Sequence, residues 1–374
     1  MTKLTGSKSC RMKKVFLETH NLKNLNTGFG QFNLHLAKAL NDESEFLNDH
    51  EVILNCSNTD AKREIGSKLS YNNYSPLSRY PFFRIKRKFD LWHSVNQNTK
   101  IEPFSNQIPY LLTVHDINFM EEKKGKSLDS KIKLFKEKLN RSSALVYISE
   151  YTKQQTHRHF DVPNIPEYII YNGNPITNNN LVITETGYNQ KESMRPFIFT
   201  IGQVDQKKNM HTLVDMIKYL KGINLIIAGG LKSEYADKLK LKIKEEKLEE
   251  RVFLVGRINE EDKIFYYKNC MAFAFPSLRE GFGLPVIEAM AFGKPVFLSN
   301  LSSLPEIGGN HSFYWENFDP RYMANVFEDG MSRYDDNQKQ YISAYIEHAK
   351  SFSWEKAAKE YIKVYSSILE GSSI

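Results

Sequence analysis

Residues 276–295 read Pro276-Ser-Leu-Arg-Glu280-Gly-Phe-Gly-Leu-Pro-Val-Ile-Glu288-Ala-Met-Ala-Phe-Gly-Lys-Pro295, after a β-rich run and at the start of a helical one. In the turn Gly281-Phe282-Gly283-Leu284, two glycines let the backbone approach a ligand closely or adopt positive φ. Pro285 suits the first helical turn, where its missing N–H costs nothing and neighbouring N–H groups point outward. A helix N-terminus of this kind attracts phosphate. Glu280 and Glu288 would repel phosphate alone, so the ligand must also carry hydroxyls, which donate to carboxylates. Phosphate together with hydroxyls describes a sugar nucleotide. The competing reading is a plain strand–turn–helix with incidental acids.

Such a site needs strands and helices that hold it. Short β-branched or aromatic runs recur along the chain, each followed by a longer helical pattern, which predicts βα units and mostly parallel sheets. In the first half the runs are Lys14–Glu18, Glu51–Leu54, Phe89–Val95, Tyr110–Val114, Ala144–Ile148 and Tyr168–Tyr171. The series restarts with Pro196–Ile201, Ile223–Ala228, Arg251–Val255, Met271–Phe275 and Pro295–Leu298. Between them, Asn172–Arg195 carries turn chemistry, with Asn-Gly-Asn-Pro and the Asn178–Asn180 run. From Pro320 to Leu369 the pattern is helical only. The 374 residues and 43.5 kDa accommodate two domains. Open α/β sheets bind ligands at the carboxyl ends of their strands, so two facing sheets make a cleft.

The Glu280-to-Glu288 spacing, set in Glu-Gly-Phe-Gly-Leu-Pro-Val-Ile-Glu-Ala-Met-Ala-Phe-Gly-Lys-Pro-Val, resembles the E-x7-E signature of family 4, the retaining GT-B glycosyltransferases. Further segments resemble that family's landmarks in order, over about residues 196–360. They are Thr200-Ile-Gly-Gln-Val-Asp-Gln-Lys-Lys-Asn209, Leu225-Ile-Ile-Ala-Gly-Gly230, Val252-Phe-Leu-Val-Gly256, Ser302-Ser-Leu-Pro-Glu306 and Phe352-Ser-Trp-Glu355. The N-terminal half resembles it more loosely. The resemblance implies a GT-B fold of two Rossmann-like domains facing a deep cleft. Residues 1–185 would bind the acceptor and 186–355 the nucleotide sugar, with 356–374 a helix that packs back on the N-terminal domain.

By the same resemblance, Glu280 contacts the hydroxyls of the donor sugar and Glu288 the nucleotide's ribose. Lys208 falls where the family places its diphosphate-binding lysine, and a cation there also stabilises the leaving group. Gly202 and Gln203 end the preceding strand in the donor site. The family usually has Arg after that glycine, so Gln203 leaves one positive charge missing. Lys207 is a candidate substitute, although neighbours on a helix do not face the same way.

Gly28-Phe29-Gly30 is a poor dinucleotide fingerprint, because Asn33 stands where a third glycine is required. The family's glycine-containing loop after the first strand commonly lies over the donor diphosphate, which assigns Gly28 and Gly30 to donor binding; a tight turn is the alternative. His115, in His115-Asp116 at the end of Tyr110–Val114, matches a family His-Asp segment and is expected near the donor sugar and phosphate. His93 is a weaker candidate, for acceptor contact. Ser149-Glu150 reads as a helix N-cap with an acid in the first turn, or as a helix start that touches ligand. The expected catalytic residues are therefore Glu280, His115 and Lys208.

No Asp-x-Asp triplet or metal-spaced cluster of His, Cys and carboxylates occurs, so no metal and no cofactor are expected. Backbone N–H groups and lysines must then neutralise the diphosphate. Cys10, Cys56 and Cys270 are odd in number and widely separated, which fits a reducing, cytoplasmic compartment. The basic N-terminus lacks an apolar signal core, and no run reaches the ~18 apolar residues that a spanning helix needs.

The net charge of +7 belongs wholly to the first half, where residues 1–185 hold 26 basic and 19 acidic residues against 25 of each beyond. Within that half, Arg84-Ile-Lys-Arg-Lys88 follows Tyr80-Pro-Phe-Phe, and Lys131-Ile-Lys-Leu-Phe-Lys-Glu-Lys138 has helical spacing. Either suits docking on an anionic bilayer, and either suits a solvated face.

The resulting expectation is a retaining, metal-independent transferase that moves a hexose of mannose or glucose type from a UDP- or GDP-linked donor. Its acceptor is a glycan or lipid-linked hydroxyl, in cell-surface polysaccharide synthesis, with the enzyme cytoplasmic or peripheral at the membrane's inner face. Glu280 as a covalent nucleophile is disfavoured, since the resemblance sets it against sugar hydroxyls. The first rival is a catalytically silent scaffold that holds an anionic surface or nucleic acid. No nucleic-acid readout motif supports it. The second is a phosphorylase that carries pyridoxal phosphate on a lysine.

Overall fold

The computed structural model describes residues 11–176 and 195–371, and these form two α/β units. Among the described residues the first comprises 11–148, 153–170 and 354–371, and the second 149–152, 171–176 and 195–353. The expected boundary at 185/186, the Asn178–Asn180 run and Cys10 lie outside the described residues.

The first unit is built on a seven-stranded parallel sheet of β1 (Lys13–Leu17), β2 (His50–Asn55), β3 (Ser70–Asn72), β4 (Leu91–Ser94), β5 (Tyr110–Val114), β6 (Ala144–Tyr147) and β7 (Glu167–Ile169). Its order is β3-β2-β1-β4-β5-β6-β7. Helices cover both faces of such a sheet, so its inner strands read as continuous apolar runs. β4 and β5 are buried at every position. In this core the rings of Phe16, Phe89 and Trp92 lie with centroids within 6 Å of one another, Phe16 stacked on Trp92 and Phe89 edge-on to it. Each such buried side chain contributes about 1.5–3 kcal/mol.

The second unit has a six-stranded parallel sheet of β8 (Phe197–Ile201), β9 (Asn224–Ala228), β10 (Val252–Gly256), β11 (Ala272–Phe275), β12 (Val296–Ser299) and β13 (Phe313–Trp315). The order β10-β9-β8-β11-β12-β13 is the doubly wound arrangement. Two Rossmann-like parallel-sheet units are thus present, as the sequence predicts. The strands β3 and β13 are additions to the sequence reading. Each has three residues and lies at a sheet edge, too short to show a period.

The chain ends in three helices, Pro320–Asp336, Gln338–Ser351 and Trp354–Glu370. The last buries Trp354, Ala357, Ala358, Tyr361, Val364 and Tyr365, a helical stripe. That stripe meets the helix Gly28–Asp42, where Trp354 lies edge-on to Phe32 and stacks on His35. It also reaches β4 and β5. His93 Nδ1 is 2.8 Å from Tyr365 Oη, and its Nε2 is 2.8 Å from Thr113 Oγ1. His93 is fully buried and both ring nitrogens are used, so the expected acceptor contact is corrected to a structural one. Among the described residues no helix is long and apolar enough to cross a membrane.

Candidate sugar-nucleotide site

In an open α/β sheet the ligand crevice lies outside the carboxyl ends of the strands, where the strand order reverses. In the second unit that point falls between β8 and β11. The segments that follow are Gly202–Asn209 and Pro276–Gly283, the two that the sequence singles out.

Gly202, the residue after β8, lies against Gly229, the residue after β9. A Cβ on Gly229 would come within 1.7 Å of the Gly202 carbonyl oxygen, so a side chain there is excluded. Gln203 turns its amide to this neighbour, with Nε2 donating to the Gly230 carbonyl at 3.3 Å. It therefore supplies a neutral group where the family resemblance expects a cation.

The chain then forms a 3-10 turn, Gln206–Lys208, capped by the Asp205 carboxylate, which accepts from Lys208 N at 3.3 Å. The turn is held to the loop after β11 by Leu278 N and Ser277 Oγ, both donating to the Lys207 carbonyl, at 2.7 and 3.2 Å. Lys208 Nζ lies 4.8 Å from the Phe275 ring centroid and donates to Glu280 Oε1. The sequence places these two groups in separate motifs, and the fold makes them an ion pair.

Glu280 and the turn behind it are fixed by serines. Ser302 Oγ accepts from Glu280 N at 3.1 Å, and Ser303 Oγ donates to the carbonyls of Glu280 and Phe282 at 3.1 and 2.8 Å. Gly283 is the N-cap of the helix Leu284–Ala291 at φ +113°, a left-handed conformation that explains glycine there. Pro285 stands in the first turn as expected. Phe282 is 4% exposed, with its ring between Tyr171 and Phe352, so only its backbone is left to face a ligand.

Glu288, one turn into this helix, is 6% exposed. Tyr267 Oη donates to its Oε2 at 2.8 Å and Lys263 Nζ to its Oε1 at 3.1 Å. Burial works against the Lys263 charge, but Glu288 and Glu260 outweigh it and hold the ammonium pKa above its usual value. Sequence reasoning passed over both partners. Their i, i+4 spacing on the helix Glu260–Asn269 was the available signal, since it puts them on one face.

The landmark Glu306 is also explained. Its carboxylate accepts from Glu150 N at 2.7 Å and Tyr151 N at 3.0 Å, at the start of the helix Glu150–His159. Ser149 Oγ accepts from Thr152 N at 3.1 Å, which makes Ser149 the cap. Its hydroxyl is also 2.7 Å from the Gly281 carbonyl.

In the first unit, β1 and β4 flank the reversal of strand order. Glu18, which follows β1, is fully buried and lies 2.9 Å from His20 Nδ1. Burial raises the Glu18 pKa, but hydrogen bonds from His20 and Thr99 outweigh that and lower it. This pair too was missed. His115 lies beyond β5, 7% exposed, with Nε2 donating to the Val95 carbonyl at 2.8 Å and Phe29 and Phe32 edge-on to its ring. Burial lowers its pKa to about 4, so it is neutral near pH 7.

Gly28 and Gly30 are not in a loop. They open the helix Gly28–Asp42, whose cap is Thr27 with Oγ1 accepting from Gly30 N at 3.1 Å. This corrects the tight-turn reading. A Cβ on Gly30 would meet the Asn24 carbonyl oxygen at 2.1 Å, whereas Gly28 has open space. Among the described residues no group of three or more His, Cys, Asp or Glu gathers to hold a metal.

The sequence model of "Glycosyl transferases group 1" matches residues 185–350. The "O-antigen chain mannosyltransferase B" of Escherichia coli is 23% identical over 94% of this chain and 99% of its own. The "Serotype-specific mannosyltransferase WbdA" of the same species is 28% identical over 47% of this chain, which spans only 22% of that protein. Among solved structures, a glycosyltransferase from Rickettsia africae ESF-5 aligns with TM-score 0.73 at 17% identity, covering 97% of this chain and all of its own. Anabaena Alr3699/HepE, in complex with UDP and glucose, aligns at 0.65 with 16% identity over 95% of this chain and all of its own. These likenesses confirm the expected fold class of GT-B glycosyltransferases.

Proposed function

We propose that the chain transfers a hexose from a nucleoside diphosphate sugar to a glycan or lipid-linked hydroxyl, starting from the match of residues 185–350 to the sequence model of glycosyl transferases group 1. The observation that carries this reading is the Lys208–Glu280 ion pair beside Gly202 at the strand-order reversal of the second sheet, with the Gly283 helix start following Glu280 and Glu288 buried one turn along that helix. The mannosyltransferase relatives support a hexose and a setting in surface polysaccharide synthesis, and the UDP and glucose held by the Anabaena protein support the donor class.

The Leu284–Ala291 N-terminus and Lys208 receive the diphosphate, Glu288 accepts from ribose hydroxyls, and Glu280 accepts from the sugar. Before the donor arrives, Lys208 is neutralised by Glu280. The diphosphate's greater negative charge draws the ammonium away and leaves the carboxylate for the sugar hydroxyls. As the anomeric bond breaks, negative charge grows on the diphosphate, and Lys208 stabilises it without a resident metal or cofactor. The family resemblance implies retention of configuration, with the departing diphosphate taking the acceptor's proton on the same face. His115 is a neutral positioning group beside the Gly28 helix start. The first unit binds the acceptor, and the enzyme works at a membrane surface.

Thermal-shift titration with UDP- and GDP-sugars, followed by donor hydrolysis without acceptor, tests this. At least one donor raises the melting temperature and is hydrolysed. A chain that no donor or free nucleotide stabilises is not this transferase.

A further inference from the structure

After β3 the first unit carries two 3-10 turns, Pro76–Arg79 and Pro81–Phe83. Together they leave Leu77, Tyr80, Phe82 and Phe83 at the surface, with Phe82 89% exposed. Phe104, 57% exposed, is brought alongside. Ile85 bridges Pro103, and Phe104 N donates to the Ile85 carbonyl at 3.2 Å. Lys86 Nζ lies 5.6 Å from the Phe104 ring centroid. Of the eleven large apolar side chains exposed among the described residues, five belong to this one place. Single exposed apolar residues are ordinary, while a cluster marks an interaction surface.

The charges choose the partner. Residues 76–89 contain Arg79, Arg84, Lys86, Arg87 and Lys88 and no acid. Arg87 is committed to Glu51 at 3.3 Å, while Arg79, Lys86 and Lys88 are exposed. Aromatic rings seat at the boundary between headgroups and acyl chains, and the cations answer the negative potential of anionic lipid.

The other basic segment lacks this pairing. On the helix Gly125–Arg141 the apolar residues Phe135 and Leu139 face the core, and Lys138 is buried against Glu102, Ser94 and Tyr110. No large apolar side chain of that helix is exposed.

We propose that residues 76–88 with Phe104 form a docking surface for an anionic lipid bilayer. This narrows the membrane placement proposed above to one surface, and its test needs neither donor nor turnover, so it stands or falls separately from the transferase reading. The full chain is co-sedimented with vesicles of phosphatidylcholine alone and of equimolar phosphatidylcholine and phosphatidylglycerol, at low and high salt. The mixed vesicles bind it at least tenfold more tightly, and salt removes the difference. A Phe82→Ser/Phe83→Ser variant binds them about tenfold or more weakly. An Arg79→Gln/Lys86→Gln/Lys88→Gln variant binds them about a hundredfold more weakly. Both variants keep the wild-type melting temperature, because the altered side chains are exposed.

Equal binding to both vesicle types, or wild-type binding by either variant, overturns the proposal. So does tighter retention on a single-stranded oligonucleotide than on mixed vesicles. Self-association that Phe82→Ser abolishes, without vesicle binding, also overturns it and assigns the patch to a second copy of the chain.

Discussion

Lys208 Nζ donates to Glu280 Oε1, and the two side chains are only 12% and 14% exposed. An ammonium and a carboxylate that satisfy each other in a small space cannot both bind donor until the pair opens. This relationship gives the two residues opposite signatures. Lys208→Met should weaken binding of free nucleoside diphosphate by about 10- to 100-fold, since a charge-assisted hydrogen bond is lost. Glu280→Gln should bind the same nucleotide at least as tightly as wild type, because the competitor for Lys208 is gone, yet lose about 100-fold or more in kcat. Calorimetry with the nucleotide and turnover with the sugar nucleotide separate the two. Parallel losses of nucleotide affinity in both variants would contradict the competition.

Glu288 depends on its partners in unequal measure. Tyr267→Phe removes one hydrogen bond and should cost about 1 kcal/mol of stability. Lys263→Met leaves a buried carboxylate without its cation and should cost about 3 kcal/mol. Denaturant melts at pH 7 measure both. The Lys263 pKa is raised in the folded state, so its contribution is fully present below the unfolded lysine value near 10.4 and is lost as pH rises above it. Lys263→Met should therefore flatten the alkaline decline in stability.

The sheets were legible because parallel strands buried on both faces leave continuous apolar runs, as at Tyr110–Val114. The E-x7-E turn was legible because glycine and proline mark its backbone and its carboxylates stand at fixed spacing. What escaped was set by contacts distant in sequence. Lys208 and Glu280 are 72 residues apart and Lys263 and Glu288 are 25 apart. Nothing near His93 signals that Tyr365, 272 residues on, fills its Nδ1. Phe282 sits in the glycine turn that the sequence assigns to donor binding, but Tyr171 and Phe352 take its ring.

Acid should destabilise the first unit through its histidines. Burial lowers the pKa of His93 to about 3 and of His115 to about 4, with the neighbouring His115 adding to the effect on His93. The unfolded chain binds these protons near pH 6.5 and the folded chain does not. Stability therefore rises with pH between about 4 and 6.5, by roughly 1.4 kcal/mol per pH unit for each group. Urea melts across that range should show the slope, and His93→Gln should reduce it by one group's share. An unchanged slope in that variant would mean that His93 is protonated in the folded protein.

Gly28 and Gly30, two residues apart at the same helix start, should answer oppositely to alanine. A Cβ on Gly28 meets nothing within 4 Å, and Gly28→Ala should stabilise the fold by about 0.5 kcal/mol through the unfolded chain's lost freedom. A Cβ on Gly30 would lie 2.1 Å from the Asn24 carbonyl oxygen, in backbone that cannot yield without shifting the preceding turn. Gly30→Ala should therefore destabilise by about 1–3 kcal/mol. Thermal melts decide the stabilities, and activity decides the role. If the helix start lies over the donor diphosphate, Gly28→Ala raises KM for the sugar nucleotide while the melting temperature holds or rises. An unchanged KM would reduce Gly28 to a structural helix start and leave donor binding to the residues of the second unit.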